Sequence, residues 1–101
     1  MNIADNVERG AQLLDEKYPD WHERVALPVT GEVMANVTGC VACQVIGNNY
    51  GRAMKAIGLH PFYNEAEDYG FNILDADDVD ADWEALGAEW TKQVRARHEP
   101  T

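Results

Sequence analysis

The sequence predicts a mainly α-helical protein, a compact bundle of about four helices with an irregular or short β segment around residues 26–38. Three observations predict this class. Apolar residues recur every three or four positions over long stretches, as on one face of a helix. Glycine and proline punctuate the ends of these stretches. Hydrophobic residues make up 46% of the 101 residues, enough to bury one core, which indicates a single domain over residues 1–101.

A first helix is predicted near the amino terminus. Its apolar face consists of Ile3, Val7, Ala11, Leu14 and Tyr18. Asn2 and Asp5 are the candidate caps, and Pro19 ends the helix because the residue before a proline disfavours the helical conformation. Gly10 costs about 1 kcal/mol relative to alanine inside a helix, so we expect a neighbouring element to approach the backbone closely there.

The chain after this helix is less regular. A short helical turn is expected over residues 19–25, with Trp21 and Val25 on one side. Residues 26–38 are rich in β-branched side chains and are interrupted by Pro28 and by glycine. Both an irregular connection and a short pair of strands fit this composition.

A second helical stretch is predicted over residues 39–59. Its apolar stripe consists of Cys43, Ile46, Tyr50, Met54 and Ile57. Glycines and a pair of asparagines weaken the pattern, which predicts a kink or break near residue 48, and Gly58 is the expected stop. A shorter helical piece is predicted over residues 62–69 and is closed by Gly70.

The last predicted helix runs from Asp80 to about His98. Its apolar stripe consists of Trp83, Leu86, Trp90 and Val94. Acidic residues lie at its start and basic residues at its end, which complements the helix dipole at both ends. We therefore expect this stripe to face the core.

The formal net charge of −10, from 18 acidic and 8 basic residues, limits the partners. Charge of this sign repels phosphate backbones and anionic lipid, so neither direct nucleic-acid binding nor membrane binding is expected, whereas a basic partner protein is. The chain start lacks the basic and apolar regions of a signal peptide, and no apolar run approaches the roughly 20 residues of a membrane span. We expect a cytoplasmic protein.

The candidate binding residues form an acidic face. Between Lys55 and Lys92 there are ten acidic residues and no lysine or arginine. The binding candidates within this tract are Asp75, Asp77, Asp78, Asp80 and Asp82. These acids are a solvated face and helix start, or they present carboxylates to a basic DNA-binding surface. A calcium loop starting at Asp78 is disfavoured because Trp83 occupies the position where the tight turn needs glycine.

Cys40 and Cys43 form a Cys-x-x-Cys motif with three interpretations. A redox pair should lie in a thioredoxin-like βαβ unit, but the surrounding strands are missing. A zinc site needs two further ligands, and only three histidines are present, without suitable spacing. The simplest interpretation is two small buried side chains on the helix stripe. No metal ligand and no cofactor are predicted.

Residues for catalysis are not evident in the sequence. The chain has no serine, neither cysteine lies in a Cys-His signature, and no glycine-rich phosphate loop is present. Acidic residues abound, but nothing marks two of them as facing each other in a cleft. We therefore predict that the protein is not an enzyme.

Several residue runs are shared, in order, with one group of proteins. They are residues 9–16 (RGAQLLDE), 19–21 (PDW), 40–47 (CVACQVIG), 50–51 (YG), 58–59 (GL) and 69–71 (YGF), before a final Trp-bearing helix. In these runs the chain resembles small uncharacterised proteins of actinobacteria and their phages. The similar proteins usually read Cys-Val-Leu-Gly-Gln in the central run, so Cys43 stands where glycine is expected. The resemblance implies a phage or actinobacterial origin and carries over no functional residue.

These observations favour a small acidic non-enzymatic interaction protein, encoded by a phage and binding a protein of the bacterial host. Two alternatives remain. The first is an acidic DNA mimic that inhibits a nucleic-acid-binding protein, for which the carboxylates of residues 65–89 should line one continuous face. The second is a small metal or redox module, for which Cys40 and Cys43 should be close, exposed and joined by histidine.

Overall fold

A computed structural model describes residues 2–36, 39–60, 64–73 and 79–98 of the chain. The regular elements within these ranges are all helical. They are α1 (Ile3–Lys17), a 3₁₀ helix (Trp21–Arg24), α2 (Gly31–Ala35), α3 (Val41–Ile46), α4 (Tyr50–Ala56), α5 (Asn64–Asp68) and α6 (Val79–His98). The mainly α prediction is confirmed, with more and shorter helices than expected. No described helix combines the length and apolar content that crossing a membrane needs.

Helix α1 forms as the sequence predicts. Of the two candidate caps, Asn2 is the one used: its side-chain oxygen accepts a hydrogen bond from the Asp5 N–H at 3.2 Å. The helix ends before Pro19, and the Tyr18 N–H donates to Leu14 O at 2.7 Å. The residues that it buries completely are Val7, Ala11 and Leu14.

Helix α6 is 20 residues long and packs against both α1 and α2. Its predicted core-facing stripe is confirmed, since Leu86, Trp90 and Val94 are at most 1% exposed. Trp83, at the start of the stripe, is half-buried and packs against the same core. Acidic side chains lie in the first turn and basic side chains in the last, as the dipole argument requires.

The segment over residues 26–38 is irregular at first and then helical, so the short-strand alternative is wrong for its described part. Residues 26–30 form the irregular connection and α2 begins at Gly31. The Thr30 side chain caps α2 by accepting a hydrogen bond from the Val33 N–H at 3.1 Å. The β-branched composition favoured strands, but the cap and the packing of α2 against α6 determine the conformation.

The predicted break near residue 48 is confirmed, and it separates α3 from α4. Gly47 has a φ of +77°, in the left-handed region that favours glycine, and it terminates α3. The N–H groups of Gly47 and Asn48 both donate to Cys43 O, at 2.7 and 3.2 Å. Asn49 then caps α4 by accepting a hydrogen bond from the Arg52 N–H at 3.0 Å.

The other glycine stops also occur where they are predicted. Gly58 follows α4 and Gly70 follows α5. Helix α5 lies within the helical piece predicted over residues 62–69, and the beginning of that piece falls outside the described residues.

Trp90 lies at the centre of the core. Its indole N–H donates a hydrogen bond of 2.6 Å to Gly70 O, directly after α5. One face of its ring stacks on Phe71, with centroids 5.2 Å apart and planes at 25°. Trp21 of the 3₁₀ helix meets the same ring edge to face, at 5.7 Å and 87°. Two separate parts of the chain, the 3₁₀ helix and the segment after α5, therefore meet on this one side chain of α6.

Gly10 is the point at which α1 approaches Trp90, so the expected close approach is confirmed. A Cβ atom at Gly10 would overlap Tyr69 O and would lie 3.0 Å from Cη2 of Trp90. The overlap with the oxygen leaves no room for a side chain, and the contact with the ring would be tight. Because one of the two obstacles is a backbone oxygen, a rotamer change alone would not relieve the overlap.

Asp15 connects the two long helices outside this core. Its carboxylate accepts hydrogen bonds from Arg97 of α6, Nε at 2.8 Å and Nη2 at 2.6 Å. The same carboxylate accepts the indole N–H of Trp21 at 2.8 Å, and the Arg97 guanidinium lies 5.3 Å above the Trp21 ring centroid. The Arg97 hydrogen bond is the main reason why the pKa of Asp15 lies below its ordinary value.

We predict that Gly10→Ala destabilises the fold although alanine is the better helix former. The overlap should cost about 1–3 kcal/mol in the free energy of unfolding, as overpacking does in other cores. Gly51→Ala is the matched control, because Gly51 also lies inside a helix and its added Cβ would meet only Asn49 Oδ1, at 3.7 Å. That control should gain up to about 1 kcal/mol. Denaturant unfolding measures the free energy of unfolding of both variants. Equal gains in stability would contradict the close packing at Gly10.

We predict that the stabilising effect of the Asp15 charge depends on pH in one direction. Because the folded-state pKa is lowered from 3.8, the contribution is complete above about pH 4 and is lost as the pH falls through the folded-state pKa. The wild type should therefore exceed Asp15→Asn in melting temperature at pH 7, and the difference should shrink below pH 4.

The matched control for this experiment is Asp20→Asn. Asp20 forms an exposed pair with Arg24 at 3.4 Å, so its removal should change stability little at either pH. A difference between wild type and Asp15→Asn that stays constant from pH 7 to pH 2 would contradict the role of the charge.

Candidate functional site

The predicted acidic face is described only in part. Asp80 and Asp82 lie in the first turn of α6, where Asp80 is exposed and Asp82 half-buried. Asp75, Asp77 and Asp78 lie outside the described residues. The two described residues have the position that the dipole argument gives them, and the binding role of the five-residue set stays a prediction.

Other acids of the tract between Lys55 and Lys92 are engaged within the fold. Glu67 is only 5% exposed. Glu65 accepts a hydrogen bond from the His60 N–H at 2.9 Å, and Glu89 pairs with Lys92 at 3.0 Å. Of these three, only Glu67 is withdrawn from the surface, because Glu65 is exposed and Glu89 is half-buried. The burial of Glu67 counts against a mimic that uses every carboxylate of residues 65–89.

Cys40 and Cys43 are close together, and they are buried. Cys40 is the N-cap of α3, and its Sγ accepts a hydrogen bond from the Cys43 N–H at 3.3 Å. The two Sγ atoms are 2.6 Å apart, and each residue is 1% exposed. The buried placement agrees with the simplest interpretation of the motif. The described residues contain no group of three or more His, Cys, Asp or Glu side chains that would hold a metal.

The two thiols influence each other's ionisation. The hydrogen bond to Cys43, followed by burial, raises the pKa of Cys40, and the same hydrogen bond lowers the pKa of Cys43. The first proton therefore leaves Cys43, and the Cys40 thiol stabilises the resulting thiolate. Thiolates are the reactive form of cysteine, so this hydrogen bond favours reaction at Cys43 over reaction at Cys40.

An open groove along α6 is the most extensive surface feature among the described cavities. We call it the α6 groove; its volume is about 620 Å³ and its lining is mostly apolar. One wall is formed by residues 28–32, before and at the start of α2. The other wall is one face of α6, with Glu84, Ala88, Thr91, Lys92 and Arg95.

Two glycines bring the walls of the α6 groove together at its base. A Cβ at Gly31 would lie 2.8 Å from Glu84 N, and a Cβ at Gly87 would lie 2.7 Å from Val29 O. Backbone therefore packs directly on backbone where α2 and its preceding loop meet α6. The side chains of residues 28–32 and of α6 that flank this backbone contact line the open groove.

Thr91 fastens the loop to α6 at the same place. Its hydroxyl oxygen accepts a hydrogen bond from the Val29 N–H at 2.9 Å. The hydroxyl proton has two acceptors within reach, Val29 O at 3.2 Å and Gly87 O at 3.0 Å. Because the hydroxyl both accepts and donates within the fold, it is a structural group and not an available nucleophile.

The α6 groove has ends of opposite charge. Glu84 and Glu32 lie at the end where α6 begins, and Lys92 and Arg95 line the other end. Glu84 and Arg95 are eleven residues apart on one helix, which corresponds to about 16 Å along its axis. Leu27 lies beside the loop wall and, at 40% exposure, is the only exposed large hydrophobic side chain among the described residues.

No family model, no curated protein and no solved structure matches the chain. The resemblance to actinobacterial and phage proteins therefore stays a prediction.

Sequence reasoning missed the α6 groove. Lys92 and Arg95 were interpreted only as basic residues that end a helix, and Gly31 only as a break in a β-branched segment. A signal was present, since Gly87 and Thr91 are four residues apart and share a face of α6. A small residue next to a hydroxyl on a helix face indicates close packing, but it does not say which segment packs there.

We predict that Thr91→Val destabilises the fold and Thr91→Ser does not. Valine keeps the shape of threonine but leaves the Val29 N–H without its acceptor, which should cost about 1–3 kcal/mol. Serine keeps the hydroxyl and loses one methyl group, which costs less than about 1 kcal/mol. Denaturant unfolding of the pair measures the difference, and equal stabilities would show that Thr91 does not hold the loop.

Proposed function

We propose that the protein is a small, acidic, non-enzymatic binding protein that engages a segment of a partner protein in the α6 groove. One observation carries the proposal: the mostly apolar groove of about 620 Å³, with an acidic end and a basic end. Apolar surface provides the free energy of binding, and the two charged ends give direction to a bound chain.

The shape of the groove favours a chain segment over a small molecule. The volume lies within the range of small-molecule pockets, roughly 300–1,000 Å³, but those pockets enclose most of their ligand. The α6 groove has two walls and is open above. Helices and extended peptides bind in grooves of this form through a few apolar side chains at fixed spacing.

The charge of the chain specifies the kind of segment. The groove itself carries two acids and two basic residues, so its own charge is balanced. The whole chain has a formal charge of −10, which attracts basic partners and accelerates their association at low salt. The partner segment is therefore one with apolar side chains for the groove and lysine or arginine residues on its flanks.

The side chains of the groove support binding and not catalysis. None of its described residues is a histidine or a cysteine, and its two hydroxyl groups, on Thr30 and Thr91, each accept a backbone hydrogen bond within the fold. Glu84 and Arg95 are exposed to solvent and do not face each other in an enclosed cleft, since they lie at opposite ends of the groove. We assign the partner to a bacterial host, in the cytoplasm, on the resemblance to phage and actinobacterial proteins.

The proposal is tested with two pools of synthetic peptides. Each peptide has two apolar residues, flanked by lysine and arginine in one pool and by glutamate in the other. The basic pool should yield binders whose association rate falls as salt rises to roughly 0.5 M, because salt screens the steering field. The acidic pool should yield none.

Two variants locate the binding site. Ala88 and Ala96 are both exposed on α6, but only Ala88 lines the groove. Ala88→Trp should fill the groove and reduce the affinity of a selected peptide about tenfold or more, equivalent to about 1.4 kcal/mol. Ala96→Trp should leave the affinity unchanged. Equal binding by both variants would rule out the α6 groove as the site. Equal binding of both peptide pools would contradict the preference for basic flanks.

A further inference from the structure

The Cys-x-x-Cys motif is a second feature that the binding function does not use. It lies at the start of α3, while the α6 groove is formed by residues 28–32 and α6.

The positions of the sulfurs are close to those of a disulfide. A disulfide bond is about 2.05 Å long, and the two Sγ atoms are 2.6 Å apart. Both side chains point toward each other at the first turn of α3, with Cys40 as the cap. The two thiols are therefore placed to react with each other.

The surroundings differ between the two thiols, and this sets an order of reaction. Cys43 lines a surface cavity of about 470 Å³ together with Gln44 and the turn Gly47–Asn49, and Cys40 does not. The lowered pKa of Cys43 agrees with this order, because it favours the thiolate at the thiol that the cavity reaches. A small disulfide entering the cavity therefore meets Cys43 first.

We propose that Cys40 and Cys43 are a reversible thiol–disulfide site that reacts with a small-molecule disulfide, with Cys43 as the attacking thiol and Cys40 as the resolving thiol. The Cys43 thiolate attacks one sulfur of the small disulfide, forms a mixed disulfide and expels one thiolate. Cys40 then loses its proton to solvent and attacks Cys43 Sγ, and the second thiolate leaves. Two electrons pass from the cysteine pair to the small disulfide, which becomes two thiols.

The test uses oxidised glutathione with the folded, full-length chain, followed by alkylation in denaturant and mass measurement. The wild type should lose two hydrogens, carry no glutathione and resist alkylation. Dithiothreitol should restore two alkylation sites. A wild-type chain that keeps both thiols, or that carries glutathione at both, would overturn the proposal.

Two variants test the order of reaction. Cys40→Ser keeps an oxygen acceptor for the Cys43 N–H and removes the resolving thiol, so Cys43 should accumulate one glutathione. Cys43→Ala removes the attacking thiol, and Cys40 should react at least about tenfold more slowly than Cys43 does in Cys40→Ser. Circular dichroism verifies that both variants are folded. Equal rates, or faster reaction of Cys43→Ala, would contradict the assigned roles. The wild-type mass measurement tests disulfide formation itself and does not depend on either variant.

Discussion

Trp90 imposes the constraint on which the packing of the helices depends. Its indole is completely buried, so its N–H needs an acceptor inside the fold, and Gly70 O provides it. A buried donor without a partner costs about 1–3 kcal/mol. This cost opposes any movement that separates the end of α5 from α6. Helix α1 packs on the same ring at Gly10, where the Tyr69 carbonyl oxygen leaves no room for a side chain. Trp21 and Phe71 then cover the remaining surfaces of the ring.

The sequence was sufficient where a local pattern determined the structure. Helices α1 and α6 follow from apolar periodicity and dipole-compatible charges, and the break at Gly47 follows from a residue that tolerates a positive φ. Helix α2 was not predicted because its stability is tertiary. Its five residues are held by the Thr30 cap and by backbone packing of Gly31 on α6, and neither has a periodic signature. Composition alone therefore could not distinguish it from a short strand.

The candidate sites were predictable to different degrees for the same reason. The proximity of Cys40 and Cys43 is a consequence of three-residue spacing at a helix start, which is visible in the sequence. The α6 groove is formed by segments more than fifty residues apart, so no local pattern contains it.

The two sites also share a connection that only the structure shows. Gln44 accepts the Ala26 N–H and donates to Gly39 O, both at 2.8 Å. The residue after Cys43 thus anchors the loop that leads into the groove wall.

The contact between the two buried indoles has an optical consequence. Trp21 and Trp90 are held edge to face with centroids 5.7 Å apart, so their electronic transitions are coupled in a fixed, asymmetric orientation. The native chain therefore has a built-in chromophore pair whose near-ultraviolet circular dichroism reports tertiary packing, independently of helix content. Trp83 is half-buried at the other end of the same stripe and is not part of this pair. Its fluorescence is a separate reporter for the surface, in a protein that needs no attached label.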